Sequence, residues 1–309
     1  MDYLDLLYDD LLSQGIAHPD WMLGAMAGAL TAFFVQLYYW LGRYGGLPRF
    51  RNNRGIRPQI PSPPVSVVVV IRENGYYFIE NSLPLLLGQR YDEFEVVAVD
   101  CSYDEEIGEL LHEKSLACSR LHVTAIKQQR SAGHGTKLAL TVGIKACAYE
   151  HIVFTTTDCY PSSDKWLSLM AKGFINGDIV IGYCGIEPGK GLANRLMRCS
   201  RLAGSVRWLS AATRSRAYRG IAGNIGYTKS LYFESRGFNY LNMEIGDDDL
   251  FIQKIATSDN VSVVMNPAAT MRQVPFGGLG WWRAVRRFYA YSFRYYPARV
   301  KRSVRTELS

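Results

Sequence analysis

Hydrophobic and polar positions follow two different patterns along the chain. From Trp21 to Leu41 no charged residue occurs, and Gln36 is the only strongly polar side chain. A helix of that length, at about 1.5 Å per residue, spans about 30 Å, the thickness of a bilayer's hydrocarbon core. Trp21 stands at one end and Tyr38, Tyr39 and Trp40 at the other, where interface aromatics belong. The run is too long for a signal-peptide core, and no basic segment precedes it. A buried helix of a soluble core rarely stays apolar for so long. Residues 21–42 therefore predict a transmembrane helix. Beyond the stiff Pro-rich stretch 58–64, short apolar runs alternate with helical patterns. Strands are predicted at Val65–Ile71, Phe94–Val99, His122–Ile126 and His151–Phe154. Helices are predicted at Ile79–Gly88, Glu105–Ser115 and Thr136–Ala148. That alternation predicts an α/β fold with a doubly wound, mostly parallel sheet. Ligands of such sheets bind at the carboxyl ends of strands, which directs attention to Arg72-Glu73-Asn74, Asp100 and Asp158.

Composition narrows the class. With 309 residues, 48% hydrophobic and 20% charged, the chain is neither disordered nor a disulfide-stapled mini-domain. Its net charge of +7, from 35 Lys and Arg against 28 Asp and Glu, points to an anionic partner. Asp2, Asp5, Asp9, Asp10 and Asp20 precede the apolar helix, whereas Arg43, Arg49, Arg51, Arg54 and Arg57 follow it. By the positive-inside rule residues 1–20 are extracytoplasmic, 43–64 form a basic, Pro-rich cytoplasmic linker, and the body is cytoplasmic. A second basic region, 276–309, mixes aromatics and cations over Gly280–Arg302. It suits an amphipathic helix lying on an anionic leaflet. The anchor argues against nucleic acid as the target of that mixture. The six cysteines show neither a CxxC pair nor zinc-type spacing and carry no assigned chemistry.

No GxGxxG follows the first strand, and no GxxxxGK[ST] occurs. A nucleotide would then be held by carboxylates and a divalent cation, for which Asp158 at a strand end is a natural ligand. The plainer role for such an Asp is a turn former or helix cap. Asp247, Asp248 and Asp249 are three adjacent acids before an apolar run. One acid satisfies a helix N-terminus, contributing about 0.3–1 kcal/mol. Three repel one another and raise the pKa of a member, which suits a general base.

In order along the chain stand Val65 to Asn74, Glu95-Val-Val-Ala-Val-Asp-Cys-Ser-Tyr-Asp104, Gly135-Thr-Lys-Leu-Ala-Leu140 and Phe154 to Trp166. Tyr218 to Phe238, Gly246-Asp-Asp-Asp-Leu-Phe251 and Trp281-Trp-Arg-Ala-Val-Arg-Arg287 follow. This succession resembles the family 2 glycosyltransferases of GT-A fold, of the single-span, membrane-anchored bacterial type, over about residues 66–287. The resemblance implies a GT-A-like domain over 65–275 and an inverting, metal-dependent transfer of a sugar from a nucleotide-diphosphate donor. It implies a membrane-proximal acceptor, carbohydrate or lipid-linked, at the bacterial inner membrane during envelope polysaccharide assembly. Asp158 then holds Mg²⁺ or Mn²⁺, while Arg72, Glu73, Asp100, Lys137 and Thr156 serve the donor, Asp100 facing its base. Arg283, Arg286 and Arg287 contact the diphosphate, and Asp247 is the base with Asp248 and Asp249 beside it. Arg214 to Arg219 and Asn224 fall near the acceptor side. Two positions depart from the family pattern: Thr156 replaces the first acid of Asp-x-Asp, and Ala284 stands where a Gln is usual. The missing acid motivates a rival reading, a catalytically weakened relative that binds nucleotide sugar or scaffolds a complex. A two-carboxylate glycosidase is a third reading, which leaves the nucleotide-side motifs without a use.

Overall fold

The computed structural model describes residues 3–13, 19–45, 47, 62–126, 135–239 and 248–306. Two compact units are present, Met1–Arg49 and Phe50–Ser309. The first holds α1 (Tyr3–Ser13) and α2 (Pro19–Leu37), the latter continuing into a wider π-helical turn, Tyr38–Tyr44. Trp21–Gly42 is long and apolar enough to cross a membrane, and none of its apolar window is buried. Phe33, Phe34, Trp21 and Trp40 are all exposed. Asp2, Arg49, Arg51, Arg54 and Arg57 lie outside the described residues.

The second unit runs β1 (Val65–Ile71), α3 (Gly75–Tyr77), α4 (Leu83–Leu87), β2 (Phe94–Asp100), α5 (Glu105–Ala117) and β3 (Leu121–Ala125). Then come α6 (Gly135–Ala146), β4 (His151–Thr156), β5 (Cys159–Pro161), α7 (Trp166–Gly173), β6 (Ile179–Gly182), β7 (Cys184–Ile186) and α8 (Gly191–Ala212). The chain continues with β8 (Ile225–Thr228), α9 (Lys229–Glu234), α10 (Leu250–Ile255), β9 (Val261–Val264) and β10 (Met271–Gln273). It closes with α11 (Leu279–Ser292) and α12 (Ala298–Thr306). Each predicted strand and helix is present. The first helix differs most, starting at Gly75 and passing through a π turn at Phe78–Ser82. Strand β4 runs two residues further than expected and carries Thr155 and Thr156 to its end.

Seven strands form one sheet in the order β3-β2-β1-β4-β8-β6-β9. Strands β1 to β4 pair in parallel, as right-handed crossovers through α-helices require. Strand β8 runs antiparallel to both β4 and β6, which makes the sheet mixed. Helices cover its faces, so β2 is buried throughout and β1 at every position but Val70, and each fully buried Val or Ile contributes about 1.5–3 kcal/mol. The polar interruptions in these apolar runs are paired by register. Ser66 stands opposite Glu95 and donates to its Oε1 at 2.5 Å, and the Ala148 amide donates to the same oxygen. A small second sheet, β5-β10-β7, lies beyond β4 and sets Gln273 opposite Cys159.

The C-terminal region is not the single amphipathic helix expected over 280–302. Pro297 has no amide hydrogen and disfavours helical backbone before it, and Tyr296 is extended at φ −65°, ψ 143°. The chain therefore breaks into α11, a 3₁₀ turn at Phe293–Tyr295, and α12.

Gly226, in the middle of β8, leaves no room for a side chain. A Cβ there would lie 2.7 Å from the Ile152 carbonyl oxygen and 2.9 Å from Phe174. Gly226→Ala should destabilise the unit by about 1–3 kcal/mol, the usual result of overpacking. Gly280→Ala, with open space around it, should leave the thermal midpoint unchanged or slightly raised; thermal unfolding of the detergent-solubilised chain checks both.

Candidate active site

A cavity of about 510 Å³ opens at the carboxyl ends of β1 and β4. Its wall includes Arg72, Glu73, Thr156, Asp158, Gln273 and Trp281. Both oxygens of Asp158 are oriented by short hydrogen bonds. The Thr156 hydroxyl donates to Oδ1 at 2.6 Å, and the Gln273 amide donates to Oδ2 at 2.9 Å. The Arg201 guanidinium in turn donates to Gln273 Oε1 at 2.8 Å and lies over the Trp281 ring. A line of contacts thus runs from α8 through β10 to the strand-end carboxylate. Gln273 and Arg201 escaped the sequence reading, because neither belongs to a local motif.

Arg72 is tied to the start of α6 by donating to Thr136 Oγ1 at 2.6 Å, and half-buried Lys137 follows in the same turn. A neighbouring cleft of about 880 Å³ shares Arg72 and Asn74 with the cavity and adds Tyr76, Tyr103, Asp104 and Glu105. Asp104 caps α5 through Oδ1 and accepts from the Tyr76 hydroxyl through Oδ2. Asp100 is nearly buried, and its Oδ1 accepts from the Ser102 amide and hydroxyl. It forms the turn after β2, at the back of this cleft and outside its lining.

A hard divalent cation takes oxygen ligands, typically one or two carboxylates completed by substrate phosphates. Among the described residues no cluster of three His, Cys, Asp or Glu side chains exists. Asp158 with the Thr156 hydroxyl fits such an ion as a single-carboxylate site, its remaining ligands coming from a bound phosphate. The six cysteines are free thiols.

Of the acidic triplet, Asp247 lies outside the described residues. Asp248 is 5% exposed and Asp249 fully buried. Asp249 Oδ1 accepts from the Leu250 amide at the start of α10, while Oδ2 accepts from the Ser292 hydroxyl and from the Tyr296 hydroxyl at 2.7 Å. The Tyr289 hydroxyl donates to Asp248 Oδ2 at 2.6 Å. Arg219 completes this group, donating to Tyr296 at 2.9 Å with its guanidinium 4.0 Å above the Tyr289 ring. Burial opposes the Arg219 charge, yet Tyr296, Tyr289 and Asp249 outweigh it and raise its pKa further. Burial, with Asp248 beside it, raises the Tyr289 hydroxyl well above its ordinary range; burial likewise raises Tyr296, Arg219 opposing and Asp249 reinforcing. These groups keep one charge state across physiological pH. Asp249, expected beside the base, is sealed from solvent with both oxygens bonded, so its part is to support and not to react.

Five other expected residues also change. Asn224 is fully buried, accepting from Trp166 Nε1 and donating to the Tyr183 and Ala269 carbonyls, so it braces the core. Arg219 leaves the exposed cluster of Arg214 and Arg216 for the buried network. Arg283, Arg286 and Arg287 are exposed and outside the cavity lining, Arg286 stacking on Trp282. Of that helix only Trp281 reaches the cavity.

No protein-family model matches the chain, and no curated protein does. Among solved structures it is similar to the mannosyltransferase PcManGT from Pyrobaculum calidifontis in complex with GDP-Man and Mn²⁺. The TM-score is 0.64 at 21% identity, over 87% of this chain and 75% of that one. It also matches residues 1–349 of S. aureus TarS, with a TM-score of 0.48 at 20% identity over 69% of this chain and 60% of that one. The mixed α/β sheet flanked by helices is thus a GT-A-like fold, as the sequence motifs implied.

Removing the Tyr296 hydroxyl leaves a buried carboxylate oxygen one donor short, at a loss of about 1–3 kcal/mol. Tyr296→Phe and Asp249→Asn should therefore be non-additive, with a coupling of about 0.5–3 kcal/mol in a double-mutant cycle of unfolding. Additive effects would mean that the two groups do not act together.

Proposed function

We propose that this chain is an inverting, metal-dependent glycosyltransferase of family 2 type. It moves a hexosyl group from a nucleotide-diphosphate donor to a carbohydrate or lipid-linked acceptor at a membrane. The observation that carries the reading is Asp158, oriented through both oxygens in the wall of the strand-end cavity. The fold likeness to PcManGT, solved with GDP-Man and Mn²⁺, supports it.

In this reading the nucleoside lies in the cleft of Tyr76 and Tyr103, and the diphosphate passes Arg72 into the cavity. A bound Mg²⁺ or Mn²⁺ would be held by Asp158 and the donor phosphates, and it supplies neutralisation of the leaving diphosphate. Thr156 and Gln273 hold the carboxylate in place, so no reorganisation is needed as charge develops. Asp247 takes the proton of the acceptor hydroxyl as that oxygen bonds to the anomeric carbon. The bond from that carbon to the diphosphate oxygen breaks on the opposite face, inverting the centre. Asp248 and Asp249 act from behind, fixing the chain at the start of α10, next to Asp247 in sequence. Arg283, Arg286 and Arg287 serve the membrane side of the body. The apolar helix anchors the chain in a bacterial cytoplasmic membrane, with the Arg-rich flank and the catalytic unit inside.

One observation favours the rival reading, a nucleotide-sugar-binding scaffold. Thr156 stands where a second carboxylate would, and its hydroxyl with the Gln273 amide already satisfies Asp158. Release of nucleoside diphosphate from a panel of nucleotide sugars, by the full chain with Mn²⁺, separates the two. The enzyme reading expects turnover that Asp247→Asn lowers by about a hundredfold or more while donor affinity stays within a few fold. Binding without turnover would establish the scaffold; no binding of any donor would overturn both.

A further inference from the structure

Helix α8 buries Met197, Trp208, Leu209 and Ala212 and also leaves apolar side chains exposed on its other face. Its inward face presents Asn194, Met197, Ser205 and Trp208, all buried. The two polar members are satisfied locally: Asn194 bonds the Gly189 amide and Glu187 carbonyl, and Ser205 donates to the Arg201 carbonyl. The opposite face carries Leu192, Leu196, Cys199 and Ala203, at i, i+4, i+7 and i+11, one stripe of a 3.6-residue helix. All four are exposed, Leu192 at 71% and Leu196 at 54%, with Leu202 at 53% on the stripe's edge. Exposed Arg195 borders it, and exposed Arg198 lies further round on the same side.

The charge around this stripe has one sign. Helices α8, α11 and α12 contain no Asp or Glu. Helix α11 meets α8 on the side opposite this stripe, where the Arg201 guanidinium lies over the Trp281 ring, so the outward face of α8 stands clear of it. Outward leucines bordered by arginines, without an acid, form the pattern of a helix seated at a bilayer surface. Each arginine near an anionic headgroup plane adds attraction. The same chain carries a helix long and apolar enough to cross a membrane. We propose that the outward face of α8 is a docking surface for an anionic phospholipid bilayer. The surface needs no catalytic step, so the proposal stands apart from the transferase reading.

Cys199 places a natural reporter in the middle of the stripe. Cys101, Cys147, Cys159 and Cys184 are buried, so Cys118→Ser leaves Cys199 as the accessible thiol. The full chain, spin-labelled at Cys199, would be placed in nanodiscs of phosphatidylcholine alone or of phosphatidylcholine with phosphatidylglycerol. Accessibility to a water-soluble nickel complex should fall about fivefold in the anionic discs, the equivalent of one basic residue at the surface, while oxygen accessibility rises. High salt should weaken this protection, and Leu192→Ser with Leu196→Ser should abolish it. A label equally open to nickel in both discs would overturn the proposal. So would protection indifferent to lipid charge, or protection that follows protein concentration, which would assign the face to a second copy.

Discussion

The buried carboxylate of Asp249 holds together what the rest of the structure needs. An ionised group sealed from water is stable only when fully hydrogen-bonded. Two donors come from far along the chain, Ser292 at the end of α11 and Tyr296 beyond it, and the third is the adjacent Leu250 amide. Arg219 supplies the opposite charge through Tyr296 and stacks on Tyr289. The acidic turn, the loop after α8 and the end of α11 are therefore tied to one another. A segment that looks like a peripheral membrane helix in composition is a structural wall of this unit, with its arginines outward and the Tyr289 and Tyr296 hydroxyls inward.

That division explains which features are legible in the sequence. Strands β1, β2 and β4 and the strand-end residues Arg72 and Asp158 follow from local apolar runs and from the rule that ligands gather at carboxyl ends. The apolar helix at Trp21–Gly42 follows from length alone. Gln273 and Arg201 were invisible because their partners lie 115 and 72 positions away, brought together only by the small sheet and by α8 packing on α11. Asn224 and Arg219 looked like functional groups by type. Burial turned one into a core brace and the other into a counter-charge. The break at Pro297 was readable in principle, since the residue before a proline avoids helical backbone. The strong basic-aromatic pattern on both sides hid it.

The site differs in kind from one built on two acids. A pair of carboxylates binds a divalent ion before any substrate arrives, whereas Asp158 with a threonine hydroxyl offers a single charge. Gln273 and Thr156 compensate by fixing that charge in position instead of adding a second one. In this account the donor's phosphates become part of the metal site, and metal and nucleotide each raise the affinity of the other by the same factor.

This linkage is the most direct test of the account. Calorimetric titration of the full chain with GDP, in Mn²⁺ and then in EDTA, measures it. Affinity should be at least about tenfold tighter with Mn²⁺, a coupling of roughly 1.4 kcal/mol, and Asp158→Asn should erase the difference. Equal affinity in the two buffers, or a metal effect that survives Asp158→Asn, would contradict it.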